Sequence, residues 1–242
     1  MQTILQNLLL VLFLFPVLAF QGDMTNDCVF YFPTQPGHTF EITNYDAKDK
    51  VTGLARHAIL NKSEAGGTTI LDARVEVFEN EDGQKLMAKG DYKVKCENDA
   101  FYFEFGGLST TLNQQQQSMK DMQMKMKADY LDIPSNPSPG QSLKDGQMTV
   151  EFLMENGEKM PMMGEMTVNV TERKVEGMEK ITTPAGTFDC VKITYNVKTK
   201  ISIMNVESRA VEWFSKEVGM VRSETYNKKG KMMGYSVLTK RN

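Results

Sequence analysis

Eighteen methionines in 242 residues are the part of this chain best equipped for chemistry. Met122, Met124 and Met126 recur at every second position, with Ala128 and Tyr130 on the same parity. Gln123, Lys125, Lys127 and Asp129 take the other parity. Further groups are Met160, Met162, Met163 and Met166, and the pair Met232 and Met233. Thioethers are soft donors that select Cu(I). A copper centre needs three or four donors converging on a point, whereas alternate residues of a strand stand about 6.5–7 Å apart. A straight strand therefore spreads these sulfurs along a surface. The same flexible, polarizable side chains can pack a core or line an adaptable apolar groove. The stripe thus has three readings: packed core, open ligand groove or Cu(I) site. The groove reading takes Met122, Met124, Met126, Tyr130, Met162, Met166 and Trp213 as candidate ligand-binding residues, with Val168 beside them.

Other chemistry is thinly represented. The only histidines, His38 and His57, lie in strand-like sequence and read as solvent-facing. A serine–histidine triad needs one of them beside a nucleophile and an orienting carboxylate. The chain carries no G-x-S-x-G, no H-E-x-x-H and no glycine loop that would cradle a phosphate. Paired carboxylates for glycoside hydrolysis would be distant in sequence and leave no local trace. The expectation is a non-enzymatic protein with no catalytic residue, no metal and no cofactor. The three cysteines are Cys28, Cys96 and Cys190. In an oxidising compartment they make one disulfide and one leftover thiol, with three pairings open. Cys28–Cys96 is favoured, because it ties down the fraying start of the mature chain.

The elements that must position these residues read as strands. Period-two alternation recurs through "HTFEITNY", "VTGLARHAIL", "TTILDARVEVFE", "KLMAKGDYKVKC" and "AFYFEF". It continues through "MKMKADYLDI", "MTVEFLM", "EMTVNVTERKV", "EKITT" and "FDCVKITYNVKT", and then to the C-terminus. Turn signals fall between them, as "DAKDK", "NEDGQ" and "NKKGK". The fold class is therefore mostly β, with about a dozen strands at the spacing of an antiparallel sandwich or barrel. One stretch without alternation, "GLSTTLNQQQQSMKD", predicts a short helix around 110–120, capped by Ser109 or Thr110. Residues 133–146, with three prolines and two glycines, predict a long ordered loop or a linker. Alternation on both sides of it favours one domain over 20–242.

The ends and the charge balance bound the setting. "LLLVLFLF" at 8–15, then Pro16 and Val17-Leu18-Ala19, fits the apolar core and small-residue end of a signal peptide over 1–19. The run is shorter than the roughly 20 residues of a membrane-spanning helix. Cleavage is expected near Ala19, and the mature protein is expected in the periplasm, cell envelope or medium. A net charge of −3 and a pI of about 5.6 argue against a nucleic-acid partner. Lys228, Lys229 and Lys231 read as an exposed hairpin turn.

The element "TTPAGTFDCVKITY" (182–195) resembles the signature of a family of secreted, Bacteroides-type proteins of unknown function. The likeness extends through "VEWFSKEVGMVRSETYNKKGKMMGYSVL", "NDCVFYFPTQPGHTFEITNYDAKDKVTG" and the spaced "PGQSL" and "DG". The family is in turn similar to the lipoprotein-carrier-like β half-barrels, in which a bent sheet holds acyl chains in an apolar hollow. The resemblance implies a curved antiparallel sheet, a half-barrel or open barrel of about 10–12 strands, and no catalytic residue. With the methionine stripe on its concave face, the expectation is a monomer that takes an apolar small molecule or lipid. The alternative is an envelope structural module whose hollow is plugged by the 107–121 segment and whose outer face meets a protein partner.

Overall fold

The structure, a computed structural model, describes residues 29–79, 83–97, 99–104, 111–112, 123–129, 131–154, 156–161 and 164–242. Strands with one apolar parity must bury one face, and here they do so in a single antiparallel sheet. β1 (Thr39–Asp46), β2 (Val51–Ala65), β3 (Thr68–Phe78), β4 (Leu86–Glu97) and β5 (Ala100–Glu104) run as successive neighbours. The short β6 (Thr111–Leu112) also pairs with β4. β7 (Gln123–Ala128) and β8 (Asp132–Pro134) lie at opposite edges of the sheet. β9 (Gly146–Leu153), β10 (Glu165–Thr183), β11 (Gly186–Ile201), β12 (Met204–Ser215), β13 (Gly219–Asn227) and β14 (Met232–Arg241) complete it. β14 pairs with β1, so the last strand closes against the first. The order is β7-β9-β10-β11-β12-β13-β14-β1-β2-β3-β4-β5-β8.

Fourteen strands among the described residues exceed the expected number for local reasons. "MKMKADYLDI" divides into β7 and β8, and Thr111–Leu112 adds β6. In the other direction, "EMTVNVTERKV" and "EKITT" are one strand, β10. The expected helix around 110–120 is corrected where it is described. Thr111 and Leu112 are extended and face Lys89 and Ala88, since pairing with β4 satisfies their backbone groups. Residues 113–122 lie outside the described residues.

The turns follow side-chain chemistry. Asp46 Oδ1 accepts from the amides of Lys48 (2.8 Å) and Lys50 (3.0 Å). Asn227 Oδ1 does the same for Lys229 (2.9 Å) and Lys231 (3.0 Å). In both loops the side-chain oxygen reinforces a backbone turn, in which the Asp49 amide donates to the Asp46 carbonyl (3.2 Å) and the Gly230 amide to the Asn227 carbonyl (2.9 Å). At Thr183-Pro184-Ala185-Gly186, Pro184 fixes the second turn position, and Gly186 takes a φ of 133°.

Residues from β1–β4 and from β10–β13 face a common hollow, so the sheet curls on itself into a half-barrel. Leu71, Val94, Phe101 and Ile193 are almost fully buried on that inner face. The segment Phe30-Tyr31-Phe32 threads the hollow, each residue 7% exposed or less. It is anchored where the Glu217 amide donates to the Phe30 carbonyl (2.8 Å). The Phe32 ring stands edge-on to Phe40 (5.5 Å), Phe103 (5.7 Å) and Tyr92 (6.1 Å). The proline-rich loop after β8 is ordered, crossing to β10. Gly140 donates to Val175 (2.8 Å), Val175 to Gln141 (2.9 Å) and Leu143 to Arg173 (2.9 Å).

Candidate functional site

Between the inserted Phe32 and the strands lies a pocket of about 330 Å³. Phe32, Phe40, Tyr92 and Phe103 supply an aromatic wall, and Val75, Ile133, Phe214 and Met220 supply aliphatic surface. Four polar side chains enter it: His57, Arg173, Tyr195 and Glu212. Few convergent polar groups on an apolar lining is the usual composition of a small-molecule site.

Arg173 reaches the pocket because β10 is irregular. Its pairing to β11 jumps from Thr171↔Asn196 to Lys174↔Thr194, so Glu172 and Arg173 together oppose Tyr195. Glu172 takes a φ of 55°. An extra residue in one strand re-aims the side chains that follow it. Arg173 is 5% exposed. One terminal nitrogen donates to the Lys144 carbonyl (2.8 Å) and lies 3.4 Å from Asp132 Oδ1. The other donates to the Asp132 carbonyl (2.8 Å). Its Nε–H has no partner among the described residues. Burial pulls the Arg173 pKa down, and the carboxylates of Asp132 and Glu212 pull against it.

Glu212 sits opposite Ile193 on β11, on the parity of Phe214. Burial raises its pKa, against a hydrogen bond from Tyr195 and the Arg173 charge. The same contact, with burial foremost, raises Tyr195. Across the pocket the His57 ring stacks on Phe40 at 4.6 Å, and its Nδ1 lies 2.8 Å from Tyr92 Oη. Burial lowers the His57 pKa to about 4, so the ring is neutral at pH 7. The expectation of two solvent-facing histidines is corrected for His57: it shares its parity with Ala55 and Ile59 and turns inward with them.

Those sequence-nominated residues that are described lie outside this pocket. Met122, Tyr130, Met162 and Cys28 lie outside the described residues. Met124 and Met126 stand on β7, at the far edge of the sheet, opposite Phe152 and Val150 of β9. Val150 also faces Met166 on β10, which faces Ile201 on β11. Met126 and Met166 therefore share one cross-strand row, two strand spacings or roughly 10 Å apart. Met166 and Val168 are half-buried on β10 and line no part of the aromatic pocket. Trp213 is 5% exposed but on the opposite parity from Phe214. Its Nε1 donates to Glu179 Oε2 (2.8 Å), and Lys192 Nζ stands 5.3 Å from its ring centre. It lines a second, polar groove of about 870 Å³ with Lys192, Arg209 and Tyr226. Cys96 is buried on β4, and Cys190 is a buried free thiol.

Arg173, Tyr195, Glu212 and His57 are the site residues that sequence reasoning missed. At two of them the signal was weak: Glu212 shares a parity with Ala210 and Phe214, and His57 with Ala55 and Ile59, but Val211 and Trp213, and Leu54 and Leu60, make the opposite parities as apolar. Arg173 carried none, because its orientation depends on the irregularity at Glu172.

No curated protein matches this chain. A family model described as DUF3108-like matches residues 35–238. A solved structure from Bacteroides fragilis NCTC 9343, of a protein inferred to be exported and with a YmcC-like fold, is similar at a TM-score of 0.72 and 24% identity. The likeness covers 89% of this chain and 100% of that one. A protein from Parabacteroides distasonis ATCC 8503, inferred to be a lipoprotein, matches with the same TM-score, identity and coverage.

Proposed function

The chain belongs to the DUF3108-like family, and on that premise we propose an exported envelope protein that binds an apolar molecule in the hollow of its half-barrel. The observation that carries this reading is the 330 Å³ pocket, with its aromatic wall and its few inward polar groups. Its size falls at the lower end of the roughly 300–1,000 Å³ typical of ligand sites. Export is supported by the apolar run at 8–15, by the inferred export of the similar Bacteroides fragilis protein and by the inferred lipoprotein nature of the Parabacteroides distasonis one. N-terminal sequencing of protein recovered from its host should begin at Phe20. The binding role is non-catalytic: His57 is stacked on Phe40 and held by Tyr92, and Glu212 is held by Tyr195. The site residues become those of the pocket, in place of the methionine stripe.

The test is titration with the uncharged fluorophore phenylnaphthylamine. Emission should rise saturably, and Val75→Trp, which fills the pocket from β3, should abolish the rise while the melting transition is retained. An unchanged rise in Val75→Trp places the dye elsewhere, and no rise in the parent protein removes the ligand reading. One observation favours the filled-core alternative: Phe30–Phe32 already occupy much of the hollow. That alternative expects no uptake.

A further inference from the structure

From the polar end of the pocket we infer that its ligand is an apolar chain ending in an uncharged oxygen, an alcohol or an ester. This rests on the pocket reading above and adds the chemistry of the head group. Arg173 is 5% exposed, and its two terminal nitrogens are held by the carbonyls of Lys144 and Asp132. The Nε–H alone has no protein acceptor among the described residues, and the side chain lines the pocket. Buried donors are almost always satisfied, and an unmatched one is costly. The Nε atom is itself buried beneath the pocket surface, so an oxygen entering with the ligand would satisfy it once the lining side chains beside it move apart.

The charges around Arg173 select which oxygen. The Asp132 carboxylate, 3.4 Å away, already offsets the guanidinium charge. Glu212 faces the same pocket with its own carboxyl group. A ligand carboxylate would add a further anion to that space, whereas a hydroxyl or ester carbonyl accepts from Nε–H without one. Tyr92, Phe103 and Met220 form the apolar surface for the chain. The arrangement is therefore that of a neutral-lipid site, with one directional hydrogen bond fixing which end of the chain enters.

The experiment is competition against bound phenylnaphthylamine by decane, decanol, methyl decanoate and decanoic acid at pH 7.5, with the full mature chain. Decanol and the methyl ester should displace the dye at about tenfold lower free concentration than decane, the value of one hydrogen bond to a charged donor. Decanoic acid should fall behind the ester. In ¹⁵N-labelled protein the Arg173 Nε–H resonance should move on addition of decanol and stay in place with decane. Arg173→Lys removes Nε and should bring the alcohol-to-alkane ratio to about one. Should that variant fail to fold, the ratio and the resonance in the native protein still decide. Equal displacement by all four compounds overturns the head-group assignment and leaves the pocket reading standing, with water satisfying Nε. Decanoic acid as the strongest competitor overturns the choice of a neutral head. Displacement by none of them overturns the pocket and the head group together.

Discussion

His57 is a titratable group kept out of water by its neighbours. It stacks on Phe40, meets Tyr92 and holds a pKa of about 4, against an ordinary value near 6.5, because burial disfavours the imidazolium. Between those values the unfolded chain takes up a proton that the folded chain refuses. The stability is therefore full above pH 6.5 and lost as pH falls towards 4, by about 3 kcal/mol for a shift of this size. Glu212 acts in the opposite sense: its raised pKa costs stability as pH climbs through it. Urea unfolding of the parent and of His57→Asn at pH 7 and pH 4.5 separates the two. The difference between the proteins should shrink by about 2–3 kcal/mol at the lower pH; a constant difference would show that the ring is protonated in the fold. The cysteines make a second prediction at this scale. Cys190 is a buried free thiol, its pKa pushed up to about 12 by burial, so it should resist iodoacetamide in the native protein. If Cys28 and Cys96 pair as the sequence suggests, denaturation without reductant should expose a single alkylation site, and reduction should expose all three. Two or more adducts before reduction would rule the pairing out.

Strands are where the sequence was most legible. Alternating apolarity located nearly every long element, and "DAKDK" and "NKKGK" fell at real turns, because the side chains of Asp46 and Asn227 help make the turns locally. Pairing across the sheet was not legible. β7 and β8 come from one apparent run but sit at opposite edges, a choice made by register with distant strands. The irregularity at Glu172 was invisible as well, since a glutamate at φ 55° carries no turn composition, and Arg173 was missed with it. The pocket draws on many strands scattered along the chain, so local periodicity could mark its wall residues as buried but not as neighbours. Two substitutions test how tightly the elements are joined. At Gly234 an added Cβ would lie 2.6 Å from the Tyr45 carbonyl oxygen on the paired β1, and backbone rather than a flexible side chain must give way. Gly234→Ala should cost about 1–3 kcal/mol in urea unfolding. Asp46→Ala removes the acceptor for the Lys48 and Lys50 amides and should lower the urea midpoint measurably, by less than Gly234→Ala does. If both are neutral, the β1–β14 and β1–β2 junctions are looser than this packing implies.

The whole molecule is a sheet too wide to stay flat, curled around a chain segment of its own. Phe30, Tyr31 and Phe32 enter before the first strand and fill part of the hollow that the strands enclose. What remains open is the pocket, and Phe32 is both core and pocket wall. Its ring meets Phe40, Tyr92, Phe101 and Phe103, so stability and cavity size are set by the same side chain. Phe32→Ala should lower stability by about 3–5 kcal/mol, the cost of an emptied aromatic site. It should also enlarge the hollow. If the hollow is a ligand site, the variant should accept bulkier apolar dyes than the parent and recover part of its lost melting temperature when they bind, because a ligand held only by the folded state stabilises it by mass action. If the hollow is merely an imperfectly filled core, the variant should lose stability with no recovery from any dye. Calorimetry of parent and variant, with and without phenylnaphthylamine and a larger fused-ring analogue, separates these outcomes, because one residue then reports on both packing and occupancy.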